Sequence, residues 1–76
     1  MDLDNLIVMA NRIGAFFAAQ PDRDEALAGI ADHVKKFWEP RMRAEILAAV
    51  DTEAGAALSE IVAAALVRHR AMLQPV

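Results

Sequence analysis

The 76-residue chain has no cysteine and no tyrosine, and it has a single tryptophan. Without cysteine there are no disulfides, no iron–sulfur ligation and no thiolate zinc site. Glycine and proline number three each, which argues against a disordered or collagen-like chain. Serine and threonine occur once each, as Ser59 and Thr52, so hydroxyl nucleophiles are scarce. Two separate histidines, His33 and His69, are too few for a structural metal cage. The longest unbroken apolar run, Ile61 to Val67, is far too short to span a bilayer. Asp2 and Asp4 stand where a secretory signal would carry basic residues, so no signal peptide is expected. These absences fit a cytoplasmic location and no membrane partner.

What the chain has in quantity is aliphatic side chain. Apolar residues make up 57% of the composition, chiefly Ala, Leu, Ile and Val. They do not alternate with polar residues over any strand length, and the period is helical throughout. The expected fold is all-α, a compact bundle of about four short helices forming one domain over residues 1–76. Ordering a chain of this size costs on the order of 110 kcal/mol, which burial barely exceeds. With disulfides and metals excluded, oligomerisation or a partner protein is the remaining source of support.

Pro21, Pro40 and Gly55 punctuate the helices. Helix one is expected from Leu3 to about Ala18, capped by Asp2 or Asp4. Leu3, Leu6, Ala10, Ile13 and Phe17 form its stripe, and Ile7, Met9 and Phe16 widen it. Such breadth suits contact on two sides, either in a homo-oligomer of the isolated chain or against a larger partner. Asn11, Arg12 and Gln20 mark its polar side. Helix two is expected from Arg23 to Phe37, with Asp22 and Glu25 as a capping-box-like pair. Its stripe is Leu27, Ile30, Ala31, Val34, Phe37 and Trp38. Helix three begins at Pro40 and ends near Val50, with an exit and turn at Ala54 and Gly55. Helix four is expected from Glu60 to Leu73, with Ser59 as N-cap.

Enzyme signatures are missing. There is no glycine-rich phosphate loop, no His-Glu-x-x-His pair and no cysteine nucleophile. His69 reads as a partly buried or helix-end histidine rather than a catalyst. The acidic cluster Asp22, Asp24 and Glu25 is explained by helix N-terminal electrostatics. No catalytic, cofactor-binding or metal-binding residue is assigned to this chain.

One segment resists a purely structural account: His33-Val34-Lys35-Lys36-Phe37-Trp38-Glu39-Pro40-Arg41-Met42-Arg43. It holds four of the eight Lys and Arg residues and the only Trp. Its charge is +3, from four cations and Glu39, while the chain as a whole is −3. Arg41 and Arg43 fall in the first turn of a helix, where the dipole disfavours cations by roughly 0.3–1 kcal/mol each. Folding alone gives little reason to place them there. Trp and Arg beside a rigid Pro are enriched at protein–protein hot spots. The rival account puts Phe37 and Trp38 in the core and pairs the cations with Asp32, Glu39 and Glu45. Phe37 suits the core by its place on the stripe, Trp38 suits either role, and Arg41 and Arg43 suit a partner.

The same segment resembles the central motif of the delta subunit of soluble, molybdenum-dependent, NAD-linked formate dehydrogenases. Met9-Ala10-Asn11-Arg12-Ile13-Gly14 with Phe16-Phe17, and Asp24-Glu25-Ala26-Leu27-Ala28-Gly29-Ile30-Ala31, resemble the stretches leading into it. The likeness continues loosely through Leu58-Ser59 and Arg68-His69-Arg70. The family more often has Asp at the position of Glu39, a change that keeps the charge. The resemblance implies a complex that oxidises formate on a molybdenum cofactor in a large alpha subunit. It implies electron transfer through iron–sulfur clusters to FMN and NAD in the beta and gamma subunits. It implies that the delta subunit carries no cofactor and associates with the alpha subunit to support an active, assembled enzyme.

Accordingly Phe37, Trp38, Pro40, Arg41, Met42 and Arg43 are the expected contact with the large subunit, with Phe37 beneath the others. Two rivals stand beside this. One is a transient factor acting on the large subunit during cofactor insertion. The other is a nucleic-acid module using the +3 patch, which the net negative charge disfavours.

Overall fold

The computed structural model describes residues 2–75. The elements are α1 (Leu3–Phe17), α2 (Arg23–Phe37), α3 (Pro40–Val50), a 3₁₀ turn (Glu53–Ala57), α4 (Glu60–Arg68) and α5 (Arg70–Leu73). The fold is all-helical, with no strand among the described residues. No helix among them is long and apolar enough to cross a membrane.

The first three helices start and stop where the sequence signals them. The Asp2 carboxylate accepts from the Asp4 N–H, and the Asp22 carboxylate accepts from the Glu25 N–H, both at 3.1 Å. Each satisfies a donor the first helical turn leaves open. Pro40 sits in the first turn of α3, where its missing N–H costs nothing. Gly55 is required by close approach. A Cβ there would meet Ala49 O at 2.7 Å and Val50 O at 2.8 Å. The 3₁₀ turn therefore folds back tightly against the end of α3.

Two expectations about the last third are corrected. Ser59 occupies the N-cap position of α4, but its hydroxyl caps nothing. The side chain is turned toward α1, and its oxygen lies 3.3 Å from where a Cβ on Gly14 would be. The expected fourth helix is broken at His69, which leaves helical geometry at φ −108° and ψ 24°. The break lets α5 turn onto α2 and α3 and bury Leu73 completely.

The core runs through the middle of the bundle. Leu6, Ile7, Ala10, Val34, Trp38, Ile46, Leu47, Val62, Leu66 and Leu73 are buried together. A smaller cluster of Leu27, Ile30 and Ala65 closes the end where Phe17 packs. Gly29 makes room there, since a Cβ would stand 2.5 Å from the Phe17 ring. Asn11, on the polar side of α1 by sequence, ties α1 to the segment before α4. Its amide donates to Ala57 O at 3.0 Å and its oxygen accepts from the Ser59 N–H at 2.8 Å.

Candidate docking surface

The corner between α2 and α3 is made by two extended residues. Trp38 (φ −95°, ψ 133°) ends α2, and Glu39 (φ −70°, ψ 161°) precedes Pro40 in the geometry a following proline enforces. This reversal sorts the segment into an inner and an outer half.

Trp38 goes inward. It is 4% exposed and belongs to the main core. Phe37 goes outward and is 71% exposed, which corrects the expectation that it lies beneath the others. The reason is rotational. Neighbouring helical residues point about 100° apart, so only one of the two could follow the Val34 stripe into the core. The Phe37 ring instead rests against His33, one helical turn back, with centroids 4.7 Å apart.

Arg43 also goes inward, and this is a second correction. It is 8% exposed. Its Nε donates to Leu73 O at 3.0 Å and its Nη1 donates to Trp38 O at 2.7 Å. Both carbonyls belong to helix C-termini, where unpaired acceptors and negative partial charge gather. Folding therefore does supply a reason for this cation: it joins the ends of α2 and α5. Arg41, Glu39 and Pro40 are exposed, and Met42 is half-buried against the core. Lys36 pairs with Asp32 at 3.1 Å. Arg12, Lys35 and Arg41 have no ion pair among the described residues.

A second feature adjoins this corner. A groove of about 480 Å³ is lined by Arg12, Ile13, Phe16, Phe17 and His33, from α1 and α2. Phe16 is 74% exposed and stands edge-on to Phe17, with centroids 5.1 Å apart. By sequence Phe16 belongs to the broad apolar stripe of α1 and Arg12 to its polar side, yet both line this groove. The signal available was angular: Phe16 is roughly 120° round α1 from Ala10, too far to share its burial. A hollow of about 440 Å³ between α2 and the α4–α5 bend contains Asp32 and His69. Asp32 is taken up by Lys36 there. No group of three or more His, Asp or Glu side chains gathers to hold a metal ion among the described residues.

Residues 5–66 match the model of the family described as NADH-dependant formate dehydrogenase delta subunit FdsD. The chain belongs to this family. The match takes in the groove on α1 and α2 and the whole α2–α3 corner. No curated protein and no solved structure matches the chain. As a member of the formate dehydrogenase delta subunit family, the chain is tied to a multisubunit oxidoreductase, and its outward-facing side chains become the places to seek contact with that complex.

Proposed function

We propose that this protein is a non-catalytic accessory subunit of a cytoplasmic NAD-dependent formate dehydrogenase. It binds the large alpha subunit, which carries the molybdenum cofactor, and supports its assembly or stability. Iron–sulfur clusters, FMN and NAD reside in the other chains of the complex, and this chain binds no cofactor. The observation that carries this reading is the family match over residues 5–66.

The corner supports it physically. Phe37, Pro40 and Arg41 face outward on a rigid turn. Phe37 is a large apolar surface covered only on its His33 side, and a partner would bury the rest. The free guanidinium of Arg41 is suited to a carboxylate or to backbone carbonyls of that partner. Trp38 and Arg43 hold the corner in shape from within, and Met42 braces it from the side.

A tagged pull-down of the chain from its native cytosol tests the reading. The eluate is analysed by mass spectrometry and by formate-dependent NAD reduction. Near-equal recovery of a large molybdenum- and iron–sulfur-containing subunit, with activity, is the expected result. Recovery of that subunit only in its cofactor-free form would mark a transient insertion factor instead. Recovery of the chain alone would overturn the subunit reading.

A further inference from the structure

A stoichiometric subunit needs more contact than the corner offers. Stable interfaces cover about 800 Å² on each partner. The chain exposes 4599 Å² in all, so such a footprint is roughly one-sixth of its surface. Phe37, Pro40 and Arg41 are three side chains. Next to Phe37, across His33, lies the groove between α1 and α2 that the exposed ring of Phe16 borders. His33 joins the two regions, since it lines the groove and carries the Phe37 ring.

We propose that this groove seats an amphipathic segment of the large subunit, with its apolar side chains against Phe16 and Phe37 and a carboxylate against Arg12. The inference rests on the subunit reading above and names the chemistry of the partner element.

Charge selects the occupant. Arg12 lines the groove with no ion pair among the described residues. The other lining residues are Ile13, Phe16, Phe17 and His33, so the groove supplies no carboxylate of its own. A second copy seated about a two-fold axis would present the same patch to itself. That would bring an uncompensated Arg12 toward its own counterpart, and like charges oppose such docking. An apolar segment bearing Asp or Glu answers both the rings and the cation. Amphipathic segments in apolar grooves are a common mode of recognition, with anchors spaced by the helical period.

The test places a photo-crosslinking benzoylphenylalanine at position 16 in the chain co-expressed with its complex. The expected product is a cross-link to the large subunit within a stretch carrying Asp or Glu. Phe16→Ser and Arg12→Glu should each weaken retention of the chain by the complex roughly tenfold or more. Changing the cross-linked carboxylate to Lys should restore binding of the Arg12→Glu variant. Val67→Ser, at an exposed apolar position on α4, should bind as the wild type does. Circular dichroism of Phe16→Ser should match wild type, because the ring is exposed. Cross-linking only to a second copy, or to nothing, would overturn the inference. So would groove variants that bind normally while Phe37→Ser and Arg41→Ala bind weakly; the subunit reading would then survive alone. If the wild-type chain does not associate with the large subunit, both fail.

Discussion

Replacing Arg43 with alanine should unfold the chain at a markedly lower temperature, because the guanidinium links the ends of two helices. It donates to Trp38 O at 2.7 Å and to Leu73 O at 3.0 Å from an almost fully buried position. Hydrogen bonds from a charged donor contribute about 1.5–3 kcal/mol each, so losing both costs about 3 kcal/mol at the lower limit. The two carbonyls are then left without this donor, and a cavity replaces the side chain. For a domain of this size each kcal/mol moves the melting temperature by about 4–8 °C, giving a fall of roughly 12–24 °C. Lysine keeps the charge but not the planar fork, so Arg43→Lys should recover only part of the loss. Arg41→Ala is the control. Arg41 is exposed and unpaired among the described residues, so its change should stay within about 0.5 kcal/mol. The assay is thermal and urea unfolding followed by circular dichroism at equal protein concentration. If Arg43→Ala melts within a degree or two of Arg41→Ala, the buried bridge contributes nothing and its role in the fold is refuted.

Trp38→Ala should cost about 3–5 kcal/mol, whereas Phe37→Ala should leave the urea midpoint nearly unchanged; equal losses would contradict the sorting of the two rings. Asn11→Ala removes both bonds that hold α1 to the segment before α4. It should lower stability by about 2 kcal/mol, at about 1 kcal/mol per bond, as read from the urea midpoint. Gly55→Ala forces a Cβ against two backbone carbonyls that have little room to move. Despite alanine's better helix propensity it should destabilise by about 1–3 kcal/mol in the same measurement.

The helices were legible because their signals are local. Asp22 with Glu25, Pro40, and the three- and four-residue apolar steps each act within one or two turns of chain. The failures were non-local. Ser59 looked like a cap, but its hydroxyl is turned toward α1, 45 residues back at Gly14, and bonds nothing. The break at His69 has no glycine or proline to announce it, and it follows from the burial of Leu73 against α2 and α3. Arg43 looked out of place at a helix N-terminus because its two acceptors lie 5 and 30 residues away. Phe37 and Trp38 both fitted the stripe, and no one-dimensional pattern separates neighbours at its edge. The segment that forms the α2–α3 corner was legible in the sequence, but which of its side chains face outward was not. The segment was identified from composition, yet two of its six expected contact residues, Trp38 and Arg43, face the interior. Phe16 and Arg12, on another helix, emerged only once α1 and α2 were set side by side.

On the proposed reading, the same short string of residues serves two ends through opposite faces. Trp38 and Arg43 fix the angle between α2 and α3, and that angle decides where Phe37 and Arg41 point. A change at an inner residue would weaken partner binding as well, by moving the outer ones, and would look like a contact residue in a binding assay alone. Stability separates the two kinds. An inner residue should lower the unfolding midpoint of the isolated chain and binding together, while Phe37 or Arg41 should lower binding with the midpoint intact. Arg43→Lys sharpens the distinction further. If its binding defect shrinks when the chain is stabilised by lower temperature, Arg43 acts on the complex through the fold. If the defect persists at full folding, the guanidinium itself reaches the partner, and the burial seen in the free chain is relieved on assembly.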